Sequence, residues 1–187
     1  MSASAARRDS FVEQRVNLAD RRDIDHVYIG GSTVDSALDL LNSVAFATEP
    51  LNEQTELSGL FSGHLDFTTN KRDLDISIAL YELTSERKYI SLTYYMVRAS
   101  YARERTRRTL LAPDRPQQLD FTSGRLASTK LAKGSRLLTV FTVLKQPNVQ
   151  ISYGTGKDVS LESVADAGAP LSIEWSTRSH LDFPVRR

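Results

Sequence analysis

The chain has 187 residues, 40% of them hydrophobic and 25% charged, a balance typical of a folded globular protein. The formal net charge of +1 gives no overall attraction to nucleic acid or to acidic surfaces. Because the sequence has no cysteine, disulfides, thiol nucleophiles and cysteine-ligated metals are excluded. No apolar run is long enough to span a membrane, and the N-terminus lacks the apolar stretch of a secretion signal. Either a cytoplasmic or a periplasmic or secreted location remains compatible with these features.

The first 43 residues differ from the rest. Residues 10–22 are polar and charged, with a spacing that permits a short helix, and residues 29–32 have the composition of a turn. Residues 35–41 permit one or two helical turns. We predict that residues 1–43 form an irregular or partly helical connecting arm that packs on another surface.

From residue 44 onward, short segments with strand patterns follow one another. Residues 74–80 alternate apolar and polar side chains, which predicts a half-buried strand. Residues 137–144 are apolar or threonine throughout, which predicts a central strand covered on both faces. Residues 117–121 and 126–131 flank Ser123-Gly124 and form either two strands or one bulged strand. The remaining predicted strands are 44–48, 57–67, 89–100, 171–175 and 181–185.

The strand count and the lack of an amphipathic helix after residue 43 predict an all-β domain over residues 44–187. We expect a two-sheet β-sandwich of the jelly-roll type. Residues 98–115 carry six arginines and are polar enough to form a long exposed loop.

A search for catalytic or cofactor-binding groups finds none. The sequence does not complete the Gly-x-Ser-x-Gly pattern that places a nucleophilic serine on a strand-to-helix turn. His26, His64 and His180 each stand alone in sequence, without metal-ligand spacing, and are interpreted as ordinary exposed histidines. We therefore predict no catalytic residue, no metal site and no cofactor in this chain.

Asp73 and Asp75 form the most suggestive acidic pair. On an extended chain their carboxylates point to the same side, as in the beginning of a calcium site, but no further acidic residues cluster nearby. A structural role is favoured, in which one carboxylate caps a turn and the other pairs with an arginine on a neighbouring strand. Arg98, at the end of the next strong strand, is the candidate partner.

The order of several short motifs resembles a known family. Glu56-Leu57-Ser58-Gly59 is followed by Asp73-Leu74-Asp75-Ile76, Val97-Arg98-Ala99-Ser100, Lys133-Gly134-Ser135-Arg136, Tyr153-Gly154-Thr155-Gly156 and Ser179-His180-Leu181-Asp182. This succession, over about residues 44–187, is similar to the C-terminal domain of X-Pro dipeptidyl-peptidases and of cocaine-esterase-like (CocE/NonD) serine hydrolases.

The resemblance implies a galactose-binding-like jelly roll whose catalytic triad lies in a separate α/β-hydrolase domain. It implies structural roles for the turn glycines Gly134, Gly154 and Gly156 and for Asp73, Asp75 and Arg98. The expected function is that of a non-catalytic accessory domain, which packs on the hydrolase domain and shapes substrate access. An isolated domain of this kind is expected to expose an apolar patch, through which homo-oligomers can form. Binding to nucleic acid or to a membrane is not expected.

Two other functions are considered. An independent carbohydrate-binding module would use an aromatic platform, for which the candidates are Tyr94, Tyr95, Tyr101 and Trp175. Packing in the core or at an interface is the favoured interpretation of these aromatic residues. An enzyme acting alone is the least favoured alternative, because no nucleophile was found. The substrate of the parent hydrolase, a dipeptide, an ester or an acyl amide, stays open.

Overall fold

The computed structural model describes residues 10–22, 33–146 and 149–186. In chain order, the described strands β1 to β13 are Phe11–Val16, Val34–Asp35, Ser43–Ala47, Thr55–Gly59, Ser62–Thr69, Asp75–Leu83, Tyr89–Arg98, Gln117–Thr122, Ala127–Leu131, Arg136–Val143, Leu171–Ser176, His180–Asp182 and Val185–Arg186. Three short 3₁₀ helices cover Ala99–Tyr101, Val159–Leu161 and Val164–Asp166. No helix in the described ranges has the length and apolar character needed to cross a membrane.

The strands form three antiparallel sheets. The first has the order β1-β11-β5-β12, with β8 also paired to β5, and the second has the order β2-β7-β6-β10-β3. A smaller third sheet has the order β13-β4-β9. The predicted all-β sandwich is thereby confirmed.

The main core lies between the first two sheets. Alternation along β5 and β11 directs Leu65, Phe67 and Ile173 inward, where they meet Ile78 and Phe141 of the second sheet. Ile173 and Ile78 are fully buried. At about 25 cal/mol per Å² of apolar surface, burying one such side chain contributes about 2 kcal/mol. The two-residue periodicity in the sequence therefore becomes the stabilising layer of the sandwich.

Three predicted strands differ in detail. The predicted strand 57–67 is two strands, because Gly59 adopts φ +142°, a backbone conformation that interrupts the ladder. The region 181–185 is also two short strands, since Pro184 has no N–H to continue the pairing. For 117–131, where two alternatives were open, two strands form, and they belong to different sheets.

The strand β6 is more buried than its alternation predicted. It lies between β7 and β10, and Ser77 and Ala79 on its second face are buried as well as the core face. Because these side chains are small and β6 has a neighbouring strand on each side, little of their surface is accessible to solvent. The strand β10 is central and buried on both faces, as predicted.

The N-terminal segment differs from the prediction of a partly helical arm. Residues 11–16 form β1, which pairs with β11 along its whole length, and no helix occurs in residues 10–22 or 33–42. The expected turn at residues 29–32 and His26 lie outside the described residues. The boundary at residue 43 and a connecting role for residues 1–43 stay predictions.

Gln14 explains why β1 belongs to the sandwich. Its buried side chain accepts a hydrogen bond from the Trp175 indole N–H at 2.8 Å and donates to the carbonyls of Asn42 and Phe141 at 2.7 and 3.2 Å. Because Trp175 belongs to the first sheet and Phe141 to the second, this amide joins the two sheets. A polar residue therefore occupies a position where the sequence pattern would require an apolar one.

Candidate functional site

The predicted pair between Asp75 and Arg98 is present in the structure. The two residues lie opposite each other in the β6–β7 register, and the guanidinium donates from Nε and Nη2 to the two carboxylate oxygens at 2.8 and 2.7 Å. Burial raises the pKa of Asp75, and the hydrogen bonds from Arg98 oppose that shift. A bidentate ion pair thus holds the beginning of β6 against the end of β7.

Asp73 is deeply buried and fully hydrogen-bonded. One oxygen accepts from the backbone N–H groups of Leu74 and Ser100, both at 3.0 Å, so it satisfies a donor in the first turn of the 3₁₀ helix Ala99–Tyr101. The other oxygen accepts from the Ser100 hydroxyl at 2.6 Å and from Arg108 at 3.0 Å. The carboxylate thus makes the turn contacts expected of it, and its oxygens face protein donors.

Arg108 was not predicted as part of this cluster. The loop containing it is largely exposed, as expected, but Arg108 turns inward and also donates to the carbonyls of Gly156 and Lys157, at 3.2 and 2.7 Å. It therefore joins Asp73 to the loop at Gly156, which lies 48 positions after Arg108 in the chain. Only the run of arginines was visible in the sequence, and the run does not reveal which arginine is partly buried and bonded to Asp73.

The predicted turn glycines lie at left-handed backbone positions. Gly154 has φ +78°, and an added Cβ would stand 2.8 Å from the Lys71 Cβ and 2.9 Å from the Asp73 carbonyl oxygen. Gly156 and Gly134 have φ values of +85° and +83°. Gly154 therefore allows the 150s loop to approach the chain at Asp73 closely. Structural importance of all three glycines stays a prediction.

His64 and His180 are brought together by the fold. The residues are direct partners in the β5–β12 register, and their rings stack with centroids 5.6 Å apart. His64 also contacts Asp120 through Nδ1 at 2.6 Å, and this hydrogen bond raises the pKa of His64. The expectation that these histidines stand alone is wrong, because strand pairing joins positions that are remote in sequence.

These histidines do not form a nucleophilic site. Within the described ranges, the hydrogen bonds of His64 and His180 go to Asp120 and to the Arg178 carbonyl, and none goes to a serine hydroxyl. Ser179, the nearest serine in sequence, bonds instead to the backbone of Asp66. The arrangement lacks the serine–histidine contact that acyl transfer requires.

The four aromatic residues considered for carbohydrate binding do not form one platform. Trp175 is buried in the core, and Tyr95 stacks on Phe121 at 5.1 Å beside that core. Tyr94 points to the opposite face of β7 and packs under Arg125 at 4.3 Å. Three of the four candidates therefore pack against other residues, whereas Tyr101 is 37% exposed.

An apolar groove lies between the two main sheets and opens to solvent. It has a volume of about 370 Å³, and its lining includes Val12, Phe46, Phe141, Trp175 and Phe183. Val12 and Phe46 belong to the edge strands β1 and β3 and are more than a third exposed. We call this feature the inter-sheet groove. It matches the size and apolar lining of pockets that bind small molecules or side chains of another protein.

Comparison with protein families gives a match over most of the chain. Residues 3–142 match the family described as the X-Pro dipeptidyl-peptidase C-terminal non-catalytic domain. The match begins within the segment that we predicted as a connecting arm. A search of curated proteins found no match.

Comparison with solved structures shows the same fold inside longer chains. An alpha-amino acid ester hydrolase is similar with a TM-score of 0.75 and 16% identity, covering 97% of this chain and 33% of that one. An aminopeptidase from a marine sediment Thaumarchaeota archaeon gives a TM-score of 0.77 and 15% identity, with coverages of 98% and 34%. A CocE/NonD family hydrolase from Staphylococcus aureus gives 0.59 and 15%, with coverages of 100% and 38%. The present chain thus spans between 33% and 38% of the length of these proteins.

Proposed function

Since the chain belongs to the family of X-Pro dipeptidyl-peptidase C-terminal non-catalytic domains, we propose that it acts as the accessory domain of a CocE/NonD-type serine hydrolase. In this role it packs on an α/β-hydrolase domain and shapes the path by which substrate reaches the active site. The family match over residues 3–142 carries the proposal. The similar solved hydrolases support it, because their chains are about three times as long as the region they share with this one.

The chemistry of the described residues supports a role without bond breaking. The buried carboxylates Asp73 and Asp75 are held by arginines and backbone donors, which suits a rigid support and not proton transfer. The histidine pair contacts carboxylates and carbonyls. Catalysis is therefore assigned to the hydrolase domain.

The inter-sheet groove supports docking of another domain. Val12 and Phe46 expose apolar surface at its wall, and exposed apolar surface of this kind is typical of contact sites. An apolar side chain of the hydrolase domain would fill the groove and exclude its water. A docking face of ordinary size would bury about 800 Å² on each partner.

The test is reconstitution from two parts. The hydrolase domain of the parent protein is produced without this region, mixed with the 187-residue chain, and studied by calorimetry and by turnover of a chromogenic ester or X-Pro dipeptide substrate. We expect binding and a change in KM. Val12→Lys places a charge in the groove wall and should weaken binding by about tenfold or more.

Phe11→Lys is the matched control. Phe11 is the neighbouring residue on β1, is exposed, and points to the opposite face, so the same change of charge should leave binding intact. Equal weakening by both variants would show that the groove is not the docking site. Absence of binding together with an unchanged KM would refute the accessory role itself.

A further inference from the structure

Within the described ranges, the outer strands of the sheets differ in one respect. An unpaired edge strand can pair with another chain, and natural proteins usually prevent this with charged residues. Among the described residues, each edge strand except β3 carries an exposed or partly exposed ionisable side chain. These side chains are Glu13 and Arg15 on β1, Asp35 on β2, Asp120 on β8, Lys130 on β9, His180 and Asp182 on β12, and Arg186 on β13.

The strand β3 has no such protection. Its sequence, Ser-Val-Ala-Phe-Ala, lies within the stretch 40–48, which contains no ionisable side chain. Ala45, Phe46 and Ala47 are exposed, and so are Leu40 and Leu41 just before the strand. An apolar edge strand therefore continues into further exposed apolar surface.

The backbone groups on the free side of β3 can be assigned from the hydrogen bonds to β10. The N–H of Thr48 donates to Leu137, and the carbonyl of Asn42 accepts from Val143, so residues 42 and 48 face β10. Because successive residues of a strand alternate in direction, Ala45 and Ala47 direct their N–H and C=O groups away from β10. Both are small, so another strand can approach closely.

We propose that a second copy of this chain pairs with β3 in an antiparallel manner about a twofold axis at Ala45. In this register, Ala45 of each copy bonds to Ala45 of the other, and the N–H of Ala47 donates to the carbonyl of Ser43 in the second copy. Val44 then lies opposite Phe46 of the second copy, which covers exposed apolar surface and extends the second sheet across the dimer. Because no charge lies in the paired stretch, the twofold arrangement brings no like charges together.

The axis at Ala45 gives partners to the N–H and C=O groups of Ala45, to the N–H of Ala47 and to the C=O of Ser43, whereas the N–H of Ser43 donates to the Leu40 carbonyl within the chain.

Sedimentation velocity of the 187-residue chain tests the proposal, at concentrations from about 1 μM to about 1 mM, where interfaces of moderate affinity associate. We expect the mass to rise from 20.9 kDa toward twice that value, and the amides of Ala45 and Ala47 to become protected from hydrogen exchange as dimer forms. Ala45→Lys should weaken association by about tenfold or more, because two lysines meet at the axis.

Ala45→Pro is the second variant, since it removes an outward N–H and leaves the ladder to β10 complete. Thr122→Lys, on the edge strand β8, is the control and should not change association. Thermal unfolding of each variant confirms folding. A monomer over the whole range, or a dimer that persists in both Ala45 variants, would overturn the proposal. The result is independent of hydrolase docking, because only this chain is present.

Discussion

Removal of the Arg98 guanidinium should destabilise the domain through the charge that it leaves behind. In Arg98→Ala, the Asp75 carboxylate, 8% exposed, loses both of its arginine hydrogen bonds. Breaking a buried ion pair from one side costs about 3–5 kcal/mol. Because the Arg98 side chain is 27% exposed, water can partly replace it, and we expect a loss of about 2–4 kcal/mol.

The double-mutant cycle with Asp75→Ala makes this prediction specific. Asp75→Ala alone leaves an arginine that can reach water, with an expected loss of about 1–2 kcal/mol. Because the double variant no longer contains the stranded carboxylate, it should be about as stable as Asp75→Ala alone, which gives a coupling energy of about 2–4 kcal/mol. Urea unfolding followed by the fluorescence of Trp175, the single tryptophan, provides the free energies of unfolding. Losses that add to within about 0.5 kcal/mol would refute the pairing.

The pH dependence gives a second measurement of the same pair. Burial already raises the pKa of Asp75, and without Arg98 the shift is larger. The charged carboxylate then opposes folding above this raised pKa, and the penalty disappears as the pH falls through it. Arg98→Ala should therefore regain stability relative to wild type on acidification. The exposed pair Arg15–Glu13 is a control, for which the coupling should be below about 0.5 kcal/mol.

Three further predictions concern other contacts. Gly154→Ala should cost about 2 kcal/mol or more, because its Cβ would collide with backbone at a positive φ, whereas Gly124→Ala, with open space around it, should change the urea midpoint little. Asp120→Asn should return the pKa of His64 toward its ordinary value; in wild type the stabilisation by this contact is present at low pH and is lost as the pH rises through the raised pKa. An NMR titration in which the His64 pKa did not move would contradict this. Gln14→Leu should cost about 1–3 kcal/mol, chiefly by leaving the buried Trp175 indole N–H without its partner, because the Asn42 carbonyl still accepts from Val143; an unchanged melting temperature would show that the indole finds another acceptor.

The sequence was most informative where the types of neighbouring residues directly indicated a buried strand or an ion pair. The all-apolar run in β10 predicted a central strand, and the residues at the end of β7 and the start of β6 predicted the ion pair between Arg98 and Asp75. It failed at β1, because the inward position is occupied by Gln14, whose amide satisfies partners from two remote strands. A polar residue at that position breaks the apolar alternation that signals a strand.

The arrangement of remote groups was not predictable in the same way. The contact between His64 and His180 depends on the register of β5 against β12, and that register follows from the whole sheet. Arg108 is one of several arginines in an exposed loop, and its burial depends on the loop at Gly156. The inter-sheet groove is formed by residues from many strands, so no local pattern in the sequence indicates it.

The pairing of β1 with β11 has a consequence for biosynthesis. The residues joined by the Gln14–Trp175 hydrogen bond are separated by 161 positions. At a translation rate of about 5–20 residues per second, roughly 8–30 s pass between the synthesis of β1 and the synthesis of its partner β11. During this interval Phe11, Val12 and Val16 have no sheet to join, so a nascent chain is most vulnerable to aggregation before β11 has emerged.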